Sequence, residues 1–316
     1  MFYNIPKVNA CVNSSGECFD YYYTSTIFVC LNAISIIINI LHIVVLVNMP
    51  GLRKMNYFWI LLNLTLVDTF GALVFAISCV CAVYKLLLSA DSGLGTILLT
   101  IAQQTTLQCR YFQLTLACFD RYYAVCKPYD YSNCRLANHF GKLSVFSWII
   151  NISIITFKVA FTADEACLDE YSIFIISNSN SKSWVDIFSS LVVVVSSVLI
   201  TILLVKVSRE LKRMSNKGSN ISDDGEIRSA TKYVIGICIM FYCSVVPLFL
   251  AIYLNTAVGI PGNGLVRTFF RIAAAGQALY GIGNVVLYGF LNPSYVQKII
   301  FIFRIIFCKQ RVFPNN

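Results

Sequence analysis

Seven long apolar stretches limit what this chain can fold into. They cover residues 24–49, 57–84, 94–126, 140–162, 185–208, 229–254 and 265–290. A bilayer core about 30 Å thick requires about 20 apolar residues for each helical crossing, and every stretch reaches that length. Only 12% of the residues are charged and 58% are hydrophobic, whereas soluble domains carry about 25% charged residues. The sequence therefore predicts an all-α integral membrane protein, built as a bundle of seven transmembrane helices.

The basic residues predict how this bundle is oriented. An odd number of crossings places the two termini on opposite sides, and short cytoplasmic loops are enriched in Lys and Arg. If the N-terminus is outside, most of the 24 Lys and Arg residues fall on the cytoplasmic side. The net charge of +9 is thus a sign of topology and gives no reason to expect nucleic-acid binding. We expect a multi-pass protein of the plasma membrane with an extracellular N-terminus.

The connections are short and no internal repeat is visible, which indicates a single membrane domain over residues 24–290. Residues 1–23 form a tail without the basic start and cleavage site of a signal peptide, so the first helix is expected to act as an uncleaved signal. Residues 291–316 include Pro293, which breaks the last span, and then an apolar face interrupted by Lys298 and Arg304. Such a segment is expected to be an amphipathic helix on the inner leaflet, followed by a short cytoplasmic tail.

A few positions predict covalent modification. Asn13 begins an N-x-S acceptor for N-glycosylation if the N-terminal tail is extracellular. Most of the 13 cysteines lie inside apolar stretches, where Cys behaves as a small hydrophobic residue. Cys11, Cys18 and Cys167 lie outside them, and either a Cys11–Cys18 disulfide or a bond from one of these two to Cys167 fits the sequence. Cys308, beside basic residues at the end of the amphipathic segment, is a candidate for S-palmitoylation.

Short polar motifs occur at defined places along the apolar stretches. The third stretch ends near Asp120-Arg121-Tyr122, and the seventh ends in GNVVLYGFLNPSYV. Four further stretches each carry one characteristic residue, namely Asn39, Asp68, Trp148 and Pro247. Over residues 24–308 this set resembles the rhodopsin-like (class A) G-protein-coupled receptors, with the chain as a divergent member. One such element alone is a weak signal, but all of them in the right order are specific.

The resemblance assigns roles to residues at the inner end of the bundle. In that family the Arg of the Asp-Arg-Tyr triplet is held by the neighbouring Asp at rest and faces the G protein once released. Asp120, Arg121 and Tyr122 are therefore expected to couple to a heterotrimeric G protein. Tyr288 resembles the tyrosine that swings inward on activation, and Asn284 resembles the asparagine that opens the same motif.

Several positions depart from the family pattern. Val285 stands where proline is usual, and Val245 stands where the family places a tryptophan two residues before Pro247. The fifth stretch lacks the usual proline and tyrosine, and Thr96 takes the place of a cysteine near the outer end of helix three. A receptor-like partner or decoy that no longer switches is therefore an open alternative.

Two charged residues lie deep in neighbouring stretches. Asp68 lies 11 positions after Tyr57, and Arg110 lies 11 positions before Arg121. Tyr57 and Arg121 mark the inner ends of the two stretches, so at 1.5 Å per residue both charges are about 16 Å from the inner boundary. Because an unpaired charge at that depth costs several kcal/mol, we predict that Asp68 and Arg110 form an ion pair.

The resemblance adds a role for this pair. In the family the carboxylate corresponding to Asp68 helps to hold a sodium ion. We expect the Arg110 guanidinium to replace that ion, bonding Asp68 and either Asn39 or Asn284 in a core polar network. The alternative is that Arg110 turns elsewhere and bonds backbone carbonyls.

The outer halves of the helices are where the family binds its ligands. An amine receptor has a carboxylate where this chain has Gln103, and an opsin has a lysine where this chain has Ala278, which argues against biogenic amines and covalent retinal. The candidates that remain are Gln103, Gln104, Lys158, Arg271 and Gln277. Lys158 and Arg271 suit an anionic ligand group, although both could instead reach the membrane interface or pair with nearby acidic residues.

Other classes of function have less support. The only histidines are His42 and His139, and no zinc-protease, nucleophile-elbow or phosphate-loop pattern occurs, so we expect neither an enzyme nor a bound metal or other cofactor. A transporter is the alternative from another class, but it would need more than one deep charge pair along its pathway. The sequence therefore predicts a receptor that passes the signal of an extracellular ligand, whose identity it does not encode, to a G protein.

Overall fold

A computed structural model describes residues 15–53, 55–88, 93–131, 139–162, 184–216, 223–256 and 264–308. These residues contain eight helices of 16 to 34 residues and no strand. In chain order the helices are α1 (Ser15–Val47), α2 (Asn56–Leu88), α3 (Gly93–Cys126), α4 (Phe140–Thr162), α5 (Trp184–Asn216), α6 (Asp223–Thr256), α7 (Gly264–Leu291) and α8 (Pro293–Cys308). Single helical turns over Pro50–Arg53 and Pro128–Tyr131 follow α1 and α3. The predicted all-α class is confirmed.

Four helices contain segments that are long and apolar enough to cross a bilayer. These segments are Tyr23–Val47, Tyr57–Cys81, Phe140–Phe157 and Ile227–Pro247. Arg271–Leu291 in α7 and Pro293–Ile302 in α8 meet the same criterion as a pair that is bent by 108°. The described residues thus support four crossings, or five if the bent pair counts as one. The crossings expected along α3 and α5 stay predictions.

Helix α3 contacts most of the other long helices. It packs against α2, α4, α5 and α6, and its own polar side chains are used in these contacts. The Gln113 amide Nε2 donates to Ser147 Oγ (3.0 Å), and Ser144 Oγ donates to Gln113 Oε1 (2.9 Å). All three side chains are buried. The polar centre of α3 is therefore tolerated because it bonds neighbouring helices and does not face lipid.

The outward faces of the long helices are apolar. Ile37, Val198 and Val286 are exposed by 60%, 52% and 62%. Large exposed apolar patches are rare in soluble monomers, whereas lipid tails are as apolar as these side chains. This surface therefore fits a lipid environment.

The chain turns sharply between α7 and α8. Asn292 separates the two helices, and Pro293, the predicted break, is the first residue of α8. The backbone N–H of Tyr295 donates to the carbonyl of Asn292 (3.0 Å). The buried Tyr295 hydroxyl also lies 2.6 Å from Nδ1 of His42 in α1. This contact fixes the start of α8 against the end of α1.

Candidate functional site

The centre of the site is the carboxylate of Asp68, which lies in α2 and is 1% exposed. Arg110 Nε in α3 donates to its Oδ1 at 2.8 Å. The amide Nδ2 of Asn284 in α7 donates to its Oδ2 at 2.9 Å. The contact predicted from equal depth is therefore present, and both carboxylate oxygens have partners.

The surroundings of Arg110 explain how its charge is accommodated. Its side chain is 6% exposed, and its guanidinium carbon lies 4.9 Å from the centre of the Tyr280 ring. A buried ion pair is tolerated only if hydrogen bonds complete it, because desolvation of the two charges costs several kcal/mol. The Asn284 bond to Asp68 and the Tyr280 ring under the guanidinium supply such contacts. The sequence analysis allowed a hydrogen bond from the Arg110 guanidinium to Asn284. In the structure the Asn284 amide instead donates to the Asp68 carboxylate.

Asn39, the other predicted member of the network, lies nearby without bonding either charge. Its Nδ2 donates to the backbone carbonyl of Ser35 (2.8 Å) and to that of Gly281 in α7 (3.3 Å). Its Oδ1 has no hydrogen-bond partner among the described residues. Asn39 therefore joins α1 to α7 beside the ion pair. Depth along a helix did not predict this, because the rotation of α1 decides which atoms Asn39 reaches.

A second pair lies near the C-terminal end of α3. Arg121 donates through Nε to Asp120 Oδ2 (2.8 Å), and its Nη2 contacts the same oxygen. The hydroxyl of Tyr131 donates to Asp120 Oδ1 (2.7 Å). The Arg121 guanidinium carbon is 4.5 Å from the centre of the Tyr57 ring in α2. The guanidinium is thus folded back onto its own helix and covered by α2.

A tyrosine of α6 extends the hydrogen bonds around the deep pair. The hydroxyl of Tyr233 in α6 donates to Asn284 Oδ1, and the same amide donates to Asp68. The rings of Tyr233 and Tyr288 meet edge to face at 5.2 Å, and both residues are buried. Hydrogen bonds therefore run from α6 through α7 to the ion pair between α2 and α3.

The other residues expected at this end have defined surroundings. The Tyr288 hydroxyl accepts a hydrogen bond from Asn292 Nδ2 (3.3 Å), and its ring packs edge to face on those of His42 and Tyr295. Tyr122 is half-buried, and Lys206 Nζ of α5 lies 5.6 Å from the centre of its ring. Tyr288 therefore belongs to an aromatic cluster between α1, α6, α7 and α8.

Most of the chain matches one known protein family. The sequence model of the seven-transmembrane receptor family (rhodopsin family) matches residues 38–275. The chain belongs to the rhodopsin family. No curated protein matches it. As a member of this family with several long apolar helices, it is a multi-pass membrane protein and a receptor rather than an enzyme.

Sequence reasoning missed three tyrosines of this receptor. Tyr57 covers Arg121, Tyr131 bonds Asp120, and Tyr233 bonds Asn284. Tyr57 carried a usable signal, because it lies at the same depth in α2 as Arg121 in α3. Nothing in the spacing of Tyr131 or Tyr233 indicated their partners, since these depend on the turn after α3 and on the rotation of α6.

The candidates for the ligand pocket are spread over three helices. Gln103 Nε2 in α3 donates to Ser78 Oγ in α2 (3.0 Å). Gln104 is also half-buried and has an interaction partner. Arg271 and Gln277 lie on α7 and are half-buried. Lys158 lies in α4, but its side chain is outside the described residues.

The positions predicted to be modified fall outside what the structure describes. Asn13, Cys11 and Cys167 are not among the described residues. Cys18 is part of α1, which begins at Ser15, and Cys308 is the last residue of α8, but neither side chain is described. Glycosylation, palmitoylation and the choice between disulfides stay predictions.

Proposed function

We propose that this protein is a G-protein-coupled receptor of the plasma membrane that passes an extracellular ligand signal to heterotrimeric G proteins. Its full architecture is then the seven-helix bundle, with the N-terminus outside and α8 on the inner leaflet. The observation that carries the proposal is the Asp120–Arg121 pair with Tyr122 beside it. The distribution of Lys and Arg supports the orientation, since it places this pair at the cytoplasmic end.

The contacts of Arg121 suit a switch that is closed at rest. Its guanidinium is bonded to Asp120 and covered by Tyr57, and only 5% of the side chain is exposed. Asp120 is held in turn by the Tyr131 hydroxyl. When these contacts break, the guanidinium is free to turn toward a bound G protein. Tyr288 is the nearby side chain that we expect to move with it.

The deep pair has a different role in this proposal. Arg110 places a permanent cation on Asp68, where related receptors hold sodium. We therefore expect that sodium ions do not change the stability or signalling of the wild-type receptor through this position. Its variant Arg110→Ala is expected to gain sodium-dependent stability or signalling, measured in matched sodium and potassium buffers. No gain, together with unchanged expression and signalling, would disprove this role.

The ligand is restricted only by chemistry. Gln103 is already bonded to Ser78 and carries no charge for an ammonium group, so a biogenic amine lacks its usual partner. Ala278 offers no amine to retinal. Arg271 or Lys158 is the group that an anionic ligand would use. If neither Arg271→Ala nor Lys158→Ala changed any agonist response, the anionic-ligand idea would be lost.

The decisive experiment compares the wild type with Arg121→Ala in cells at matched surface expression. Basal and ligand-induced dissociation of each major G-protein class is recorded. We expect at least one class to respond and the variant to change that response. Lys142→Ala is a suitable control, because it removes an exposed positive charge from the start of α4.

The opposite result would favour a receptor-like partner or decoy. Val245 and Val285 are both buried at positions where the family carries the larger tryptophan and the proline of its switch. If no G-protein class responds under any condition, these two positions are the first candidates for the cause. A transporter remains the less favoured alternative, because the two deep charges already neutralise each other.

A further inference from the structure

Two side chains of helix α6 donate hydrogen bonds to α7. The Tyr233 hydroxyl donates to Asn284 Oδ1, and Ser229 Oγ donates to the backbone carbonyl of Leu291. The helices also approach closely at Gly236, where an added Cβ would be 2.5 Å from Leu287 Cδ2. The first part of α6 is thus joined to α7 by two hydrogen bonds and one tightly packed glycine.

The contacts between α6 and α3 are of another kind. Tyr111 and Phe241 pack edge to face at 4.7 Å, and the thiols of Cys118 and Cys238 lie 3.6 Å apart. The polar and cation–π partners of Arg121 among the described residues lie on α3, on α2 and in the turn after α3, and none is on α6. Among the described residues, the Arg121 guanidinium therefore does not hold α6 in place.

We infer that Tyr233 is a positioning residue that holds α6 closed against α7 through its hydroxyl bond to Asn284. The inference rests on the proposed function, because it supposes that α6 moves away from the bundle when a G protein binds. It goes beyond that function by naming the contact that opening must break.

The position of Asn284 explains why this one hydroxyl matters. Its amide donates to Asp68, which also holds Arg110, while its carbonyl oxygen accepts the Tyr233 bond. Both ends of a fully buried amide are thereby satisfied. Movement of α6 leaves the carbonyl oxygen without its donor, and an unsatisfied buried acceptor disfavours the open state. One ordinary hydrogen bond changes such an equilibrium about fivefold.

The first test compares Tyr233→Phe with Tyr242→Phe. Both remove one hydroxyl from α6, but the Tyr242 hydroxyl faces α5, where it donates to the carbonyl of Ser197 (2.9 Å). At equal surface expression, Tyr233→Phe should raise basal G-protein dissociation about fivefold. Tyr242→Phe should leave it near the wild-type level. Equal effects of the two variants would overturn the inference.

A second readout requires no G protein. Cys118 and Cys238 are 1% and 0% exposed at the α3–α6 contact, so opening of α6 should expose them to a small maleimide. Peptide mass spectrometry of the labelled full-length receptor should show faster modification of both in Tyr233→Phe than in the wild type. The buried Cys79 in α2 should react at the same rate in every variant and serves as the internal reference.

The two readouts separate the inference from the proposed function. If labelling of Cys118 and Cys238 in Tyr233→Phe rises but no G-protein class responds, Tyr233 does hold α6 against α7 and the coupling proposal fails. If labelling stays at the wild-type rate, Tyr233 does not hold α6 against α7, whatever the level of basal G-protein dissociation. Should Tyr233→Phe not reach the surface, Ser229→Ala removes the neighbouring α6–α7 bond and must shift both readouts in the same direction.

Discussion

The two buried Asp–Arg pairs of this receptor contain the same chemical groups but join different parts of the structure. Arg110 and Asp68 lie on different helices, 42 residues apart in the chain. Arg121 and Asp120 are neighbours on one helix. The side chains of the two arginines are almost equally buried, with 6% and 5% exposed. Burial alone therefore does not distinguish the two pairs.

The difference lies in what each pair connects. Breaking the deep pair leaves a carboxylate in the middle of the bundle and removes a bond between α2 and α3. Breaking the pair at the end of α3 frees a guanidinium without separating any helices. The first pair therefore joins two helices, whereas the second pair lies within one helix. This contrast predicts different results for equivalent substitutions.

The largest effect is expected for Arg110→Ala. The substitution leaves Asp68 buried without its cation, which should lower the free energy of unfolding by about 3 to 5 kcal/mol. Thermal unfolding of the purified receptor in detergent measures this loss. Arg121→Ala should cost less than half as much, because it removes no hydrogen bond between helices and Asp120 keeps its bond from the Tyr131 hydroxyl.

A double variant tests the reason for that loss. Asp68→Asn together with Arg110→Ala removes both charges, so it should be more stable than Arg110→Ala alone. If the double variant is no more stable, the uncompensated carboxylate is not the cause. Equal losses for Arg110→Ala and Arg121→Ala would remove the distinction between the two pairs.

The next effect concerns the packing around the deep pair. A Cβ on Gly281 would be 2.5 Å from Ser35 Oγ and 3.3 Å from Asn39 Nδ2. Gly281→Ala should therefore force α1 and α7 apart and cost about 2 kcal/mol, measured by the same unfolding assay. Gly51→Ala is the matched control, because nothing lies within 4 Å of the added Cβ. Similar losses at both positions would mean that the close approach of α1 and α7 is not rigid.

A smaller effect is expected for Tyr131→Phe. The substitution removes a hydrogen bond to Asp120 Oδ1 and should cost about 1 kcal/mol. It should also raise basal G-protein dissociation, since Asp120 then holds Arg121 less firmly. Tyr129→Phe removes a hydroxyl from the same helical turn, but its side chain is 93% exposed. An equal rise for Tyr129→Phe would show that Tyr131 does not act through Asp120.

The smallest effect is expected for Lys206→Gln. Lys206 is exposed and its Nζ lies 5.6 Å from the centre of the Tyr122 ring, so the loss of this contact should cost no more than about 0.5 kcal/mol. Its unfolding midpoint should therefore match the wild type within error, in contrast to both buried arginines. A loss as large as that of Tyr131→Phe would mean that this cation holds α5 against α3.

Part of this structure was predictable because helices have a fixed rise. Equal distances from the ends of two neighbouring helices placed Asp68 and Arg110 at one depth, and the structure joins them. The break at Pro293 was predictable because proline lacks the N–H that a continuing helix requires. The sequence also shows directly that Asp120 and Arg121 are neighbours.

Other contacts depend on how each helix is rotated about its axis. Tyr233 reaches Asn284 only because α6 turns that face toward α7. Asn39 bonds Gly281 and not Asp68 because of the rotation of α1. The apolar patterns of these helices leave their rotation open, since most of their surface is apolar on every side.

The sequence by itself determined the membrane environment, the family and the depth of the charged residues, because composition, motifs and helical rise are properties of the chain alone. The tertiary structure decided which atoms the charged groups bond and which tyrosines contact each pair. Those choices follow from side-chain packing between helices that are distant in sequence, and a linear spacing does not contain that information.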